Sequence, residues 1–160
     1  MTPDPKLDLL LDRTVDLPPA AIWRAWTEPA LLVQWFTPAP WVTTSCRIDL
    51  RPGGAFEATM RSPEGQDHPN AGCYLEVEPG RRLTWTSALL AGYRPAPAPA
   101  HPDFWFTATV DLEPSGAGTR YRALVRHADE AARRAHEGMG FEAGWSAALA
   151  QLEALMRRTR

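Results

Sequence analysis

The sequence predicts an α+β fold: a curved antiparallel sheet wrapped around a long C-terminal helix. Three observations carry that expectation. From Trp41 to His127, stretches of period-two patterning follow one another with only turn residues between them, which argues for a single meandering sheet. Near the end, Trp145, Leu149, Leu152, Leu155 and Met156 recur at three- and four-residue steps, leaving Gln151, Glu153, Arg157 and Arg158 for water. Such a helix covers one face of a sheet. Finally, 160 residues fit one ordinary domain spanning 1–160, and a chain of that size buries roughly 70% of its unfolded surface, enough for a core with an internal cavity.

The elements follow in order. Leu7, Leu9, Leu11, Thr14 and Val15 interleave with Lys6, Asp8, Asp12, Arg13 and Asp16, as in a half-buried strand. Pro18-Pro19 opens a helix, because proline suits a first turn whose N–H groups lack partners, and Ile22, Trp23 and Trp26 continue it. Thr27-Glu28-Pro29 breaks that helix, and Pro29 starts a short second one carrying Leu31, Leu32, Trp35 and Phe36. A strand over Val42 to Leu50 turns at Arg51-Pro-Gly-Gly54 and returns as Ala55 to Arg61. Ser62 to Asp67 is a turn cluster, followed by strands over Ala71 to Val77 and Arg81 to Leu89. The Pro/Ala-rich stretch Gly92 to Pro102 is expected to be an extended loop that covers a pocket mouth. Strands Phe104 to Leu112 and Thr119 to His127 flank a turn at Glu113 to Gly118. Asp129 is the expected N-cap of the final helix, whose first half is loosened by Gly138, Gly140 and Gly144.

Composition narrows the function. Lys plus Arg number 17 against 19 Asp plus Glu, a net charge of -2 without the basic surplus that nucleic acid demands. No apolar run reaches the roughly 18 residues of a membrane span, so no membrane insertion is expected. The start Met1-Thr-Pro-Asp-Pro5 has neither a basic nor an apolar leader segment, and a cytoplasmic location is the expectation. Cys46 and Cys73 lie in strand-like segments without metal-ligand spacing and are expected to be reduced, packed thiols. There is no HExxH, CxxC, phosphate loop or Ser/His/Asp arrangement, so neither a metal nor a cofactor is expected. Seven tryptophans in so short a chain point to a roomy aromatic interior.

Four motifs then carry a resemblance. They are Ile22-Trp-Arg-Ala-Trp-Thr-Glu-Pro29 running on to Leu32 and Gln34-Trp-Phe36, the turn Asp49 to Gly54, Gly72 to Val77 with Arg82-Leu83, and Gly144-Trp145 with Leu149 and Leu152. In this order they resemble the START-like, SRPBCC superfamily, in the branch similar to the C-terminal domain of the activator of heat-shock protein 90 ATPase. The resemblance implies a helix-grip fold, β-α-α-β6-α, with a cavity between the sheet and the last helix. It implies apolar ligands such as lipids or polyketides, cyclase-like chemistry in some members, and a homodimer as an alternative state. His136 to Phe141 further resembles a bacterial polyketide-cyclase-like subgroup that often carries a His three residues before the helix Trp; here that position is Glu142.

Strand phase selects the expected ligand-binding wall: Phe56, Met60, Trp85, Phe106 and Tyr121 from the sheet, with Met139, Phe141, Trp145 and Leu149 from the helix. The expected occupant is a small hydrophobic or aromatic molecule. The candidates for acid–base work are His127, His136 and Glu142, with Glu137 beside them. Their spacing is uninformative, and solvated surface positions are the expectation for them. Glu76 is read as a buried polar anchor sharing a strand face with Tyr74. A cyclase- or hydrolase-like enzyme using the same cavity, and a chaperone-associated protein-binding module, are the alternative functions.

Overall fold

In a computed structural model, which describes residues 1–99 and 103–159, the chain begins with strand β1 (Asp8–Val15), burying Leu9, Leu11 and Val15 on one side. Helices α1 (Pro19–Thr27) and α2 (Pro29–Leu32) follow, with a proline in the first turn of each, where a missing N–H costs nothing. The predicted second helix is shorter than its apolar residues suggested: beyond Leu32 the chain continues as turns, with the N–H groups of Trp35 and Phe36 bonded to the Leu32 carbonyl.

Strands β2 (Val42–Ile48), β3 (Ala55–Arg61), β4 (Asp67–Glu78) and β5 (Arg82–Thr86) come next. A small hairpin of β6 (Leu89–Leu90) and β7 (Arg94–Pro95) lies between β5 and β8 (Phe106–Ser115), which turns directly into β9 (Gly118–His127). All pairings are antiparallel, and the large sheet has the order β1-β9-β8-β5-β4-β3-β2. The chain ends in α3 (Glu130–Gly138) and α4 (Phe141–Arg158). Leu149, Leu152, Leu155 and Met156 of α4 join one core with the inward residues of β1, β5, β8 and β9 and with Ile22, Ala25 and Trp26 of α1. This is the α+β helix-grip fold.

Five departures from the expected elements have physical causes. First, β4 begins before Ala71, and β8, which starts at Phe106 rather than Phe104, runs past Leu112, because their prolines lie on free edges. Pairing with β5 covers β4 only from Cys73 onward, so Pro69 pairs with Thr59 of β3 alone and its missing N–H interrupts no ladder. Pro114 likewise pairs with Thr119 of β9, beyond the Arg82 end of β5. Second, β5 stops at Thr86 rather than Leu89, because Thr86 and Ser87 turn their hydroxyls onto the backbone N–H groups of Ala88 and Phe106 at 3.1 and 3.0 Å.

Third, Glu76 is exposed and does not share a face with Tyr74. A bulge between them places Tyr74 opposite Trp85 but Glu76 opposite Thr84, so one extra residue moves Glu76 to the outer face, where it lies 3.9 Å from Arg82. Fourth, the C-terminal segment is two helices: Asp129 caps α3 through Ala132 N–H at 2.8 Å, and Gly140, at φ 90°, breaks the helix before Phe141. Fifth, the Pro/Ala stretch contains a 3-10 turn (Ala91–Tyr93) and β7 before it becomes irregular; its residues 100–102 lie outside the described residues.

Cys46 is half-buried, Cys73 buried, and both are free thiols. Gln151, read as a water-facing residue, instead ties α4 to the segment after α2: its amide nitrogen donates to the carbonyls of Trp35 and Thr37, each at 2.9 Å, and its oxygen accepts from Ala39 N–H at 2.9 Å.

Candidate functional site

The sheet curves away from α4 to leave a cavity of about 760 Å³. Its position follows from the strands. Ala55 to Arg61 alternates across β3, so Phe56, Ala58 and Met60 reach one face; Trp85, Phe106 and Tyr121 reach the same face from β5, β8 and β9. The part of β4 left uncovered by β5 contributes Pro69 to Gly72. Helix α1 supplies Trp26, the following turn supplies Trp35 and Phe36, and α4 supplies Phe141, Trp145 and Leu149. Ala96 to Pro99, from the Pro/Ala stretch, adds to the wall.

All nine residues expected to form a ligand-binding wall are therefore brought together around one space. Met139 stands at its rim, 57% exposed. Trp26, Trp35, Phe36 and Trp41, from the segment before β2, line the same space and were not singled out. Their signal was the aromatic density of residues 23–41 itself.

The wall is held by aromatic edge contacts. Trp26 lies 4.8 Å from Trp35 and 5.1 Å from Trp85, and Phe56 bridges Phe36 at 5.7 Å and Trp85 at 5.2 Å. The indole N–H of Trp35 donates to the Ala25 carbonyl at 3.0 Å, which fixes its ring. Burial pushes the Tyr121 phenol above its ordinary pKa, and the nearby Trp26 indole, which stops short of a well-formed hydrogen bond, offsets this in part.

The acid–base candidates divide. Glu142 is in water, its side chain 80% exposed and ion-paired with Arg13 at 3.3 Å. Glu137 is also exposed, beside Arg133. His127 and His136, expected at the surface, are buried at 7% and 8% exposure, and their rings are hydrogen-bonded, Nε2 of His127 to Nδ1 of His136 at 2.9 Å. His127 Nδ1 lies 2.8 Å from the Leu7 carbonyl.

The physical reason for His127 was in the sequence: it continues the inward row Thr119, Tyr121, Ala123, Val125. His136 is the buried position of α3, brought over β9 by the turn after it. Of the three candidates His136 lines the cavity, amid Phe104, Phe106 and Phe141. Burial, then the neighbouring His127, pulls the His136 imidazole down to about 4. Burial also lowers His127, against the opposing pull of the Leu7 carbonyl and Asp8.

Among the described residues no group of three or more His, Cys, Asp or Glu side chains could hold a metal ion, and no helix is long and apolar enough to cross a membrane. What the arrangement offers chemically is a largely apolar pocket, open to solvent on one side, with a few fixed polar atoms.

A curved antiparallel sheet gripping a C-terminal helix over an aromatic cavity defines a START-like domain. Residues 16–157 match the family model described as activator of Hsp90 ATPase homolog 1-like protein, and the chain belongs to that family. It is similar to the crystal structure of protein NE0264 from Nitrosomonas europaea, at 46% identity and a TM-score of 0.91, covering 98% of both chains. Protein CV1439 from Chromobacterium violaceum is 27% identical with a TM-score of 0.73, over 96% of this chain and 98% of that one. An AHSA1-like protein from Aeromonas hydrophila, 19% identical with a TM-score of 0.70 over 95% of this chain and 93% of that one, shares the fold. A search of the curated proteins finds no match.

Proposed function

We propose that the protein binds a small apolar or aromatic molecule in the cavity between the sheet and α4. The observation that carries this reading is the cavity itself: about 760 Å³ walled by aromatic and aliphatic side chains, within the range of roughly 300–1,000 Å³ usual for small-molecule sites. An interior packed to ordinary density has no such space. The hydrophobic effect then favours an apolar guest, since water in such a space finds few hydrogen-bond partners. Among the acid–base candidates, Glu142 in water supports no step inside the cavity, and the exposed Glu137 supplies no acid there either. His136, a neutral imidazole lining the cavity, is the one group that supports the alternative reading of a cyclase- or hydrolase-like step.

The test is a titration with 1-methylnaphthalene, read by the quenching of tryptophan fluorescence. Gly144 lines the cavity, and a Cβ there would meet only Pro38 Cγ at 3.9 Å, so Gly144→Leu should project its side chain into the space without a backbone clash. Saturable quenching in the wild type, with a changed affinity in Gly144→Leu at unchanged or raised Tm, is the expected result. Equal quenching in the two proteins contradicts the reading.

A further inference from the structure

The two buried histidines fix a direction of proton donation. A backbone carbonyl can only accept, so the 2.8 Å contact with Leu7 puts the proton of His127 on Nδ1. A neutral imidazole has one N–H, and burial keeps this ring neutral; its Nε2 is therefore an acceptor. That acceptor lies 2.9 Å from Nδ1 of His136, which must donate. By the same count, Nε2 of His136 is left with a bare lone pair. Among the described residues this nitrogen has no hydrogen-bond partner, and its ring lines the cavity.

Several polar side chains on the wall are already engaged, and the Trp26 indole N–H, buried there without a hydrogen-bond partner, can only donate. Ser87 Oγ accepts from Phe106 N–H at 3.0 Å, Asn70 donates to the His68 carbonyl at 3.1 Å, and the hydroxyls of Thr37 and Thr43 bond each other. Three aromatic rings surround the free acceptor, Phe104, Phe106 and Phe141, with centroids 5.1, 5.2 and 5.3 Å from the imidazole.

We propose that Nε2 of His136 accepts a hydrogen bond from the hydroxyl of the ligand, so that the cavity selects an aromatic molecule bearing a neutral phenolic or enolic O–H. This rests on the reading of the cavity as a ligand site. A hydrocarbon of the same shape leaves the lone pair buried without a partner, and a carboxylate sets its own lone pairs against it; each is disfavoured relative to the hydroxyl compound. His127 is a positioning residue: it holds His136 in the Nδ1–H form, against the Nε2–H form that free imidazole side chains prefer. The depressed basicity of His136 agrees with this, since the ring keeps its lone pair for accepting.

The experiment has two readouts. Nitrogen-15 spectra of the histidine rings in the wild-type protein should show both His127 and His136 protonated at Nδ1 and bare at Nε2. Calorimetric titrations with 1-naphthol, 1-methylnaphthalene and 1-naphthoate should rank naphthol first. The preference for naphthol over methylnaphthalene should fall about fivefold in His136→Phe, the size of one ordinary hydrogen bond. In His127→Phe it should fall similarly, with His136 reverting to the Nε2–H form. An Nε2–H form of His136 in the wild type overturns the proposal. So does an unchanged preference in His136→Phe while both probes bind, a result that leaves the ligand-site reading standing. Failure of all three probes to bind contradicts that reading, and the proposal with it.

Discussion

A Cβ placed on Gly54 would sit 1.9 Å from the Asp49 carbonyl oxygen, closer than any side chain tolerates, so the turn between β2 and β3 exists in this form only with glycine there. Gly54→Ala should therefore cost about 2 kcal/mol or more, read as a drop in the urea midpoint. At Gly144 the nearest atom to a new Cβ is 3.9 Å away, and Gly144→Ala in the interior of α4 should raise stability by about 0.5–1 kcal/mol. The need for glycine in the turn was legible from Arg51-Pro-Gly-Gly54, whereas the room at Gly144 was not, because it depends on where Pro38 comes to lie. The same divide explains the wall residues. Phe56, Trp85, Phe106 and Tyr121 follow strand phase, which the sequence displays directly. Glu76 was misplaced because a bulge at Leu75 resets the phase, and nothing in the residue types announces it.

Helix α3 is tied to the sheet by the His127–His136 bond and by the Arg133 guanidinium, which donates to the Lys6 carbonyl at 3.1 Å. Both imidazoles are held below their ordinary pKa, His136 at about 4. The charged groups facing His127 are Asp8 and Asp129, which favour its protonation, and Arg133, which opposes it; none outweighs burial. The unfolded chain, with ordinary histidines near 6.5, takes up these protons first as the pH falls. The stabilisation is thus complete above about pH 6.5 and is lost as the pH falls toward 4, on the order of 3 kcal/mol for His136. Urea midpoints measured from pH 7.5 to 4.5 should decline in the wild type, and less steeply in His136→Phe; parallel profiles would rule out a neutral buried His136. At this scale the sequence showed the cap at Asp129 and the weakness at Gly138 to Gly144, but not that the break falls at Gly140. The histidine pair escaped notice because nine residues of sequence separate its members and only the turn onto α3 makes them neighbours.

For the molecule as a whole, the seven strands of the large sheet, their sequence along the chain and the gripping helix were legible, because each turn carries its own Gly, Pro or Asp signal and α4 repeats at helical spacing, whereas the β6–β7 hairpin within the Pro/Ala stretch was not. Strand ends were less so: Pro69 and Pro114 read as breakers, and only the sheet order shows that each sits on a free edge. The cavity is a property of this scale alone, since it depends on how far the curved sheet stands from α4. Six of the seven tryptophans line it, and Trp23 does not. That distribution supplies the most direct measurement, an NMR titration of the indole N–H signals with 1-methylnaphthalene. Signals of Trp85 and Trp145, on the sheet and helix walls, should move together and saturably while Trp23 stays still. Unmoved Trp85 and Trp145 signals, or movement confined to Trp23, would contradict the account.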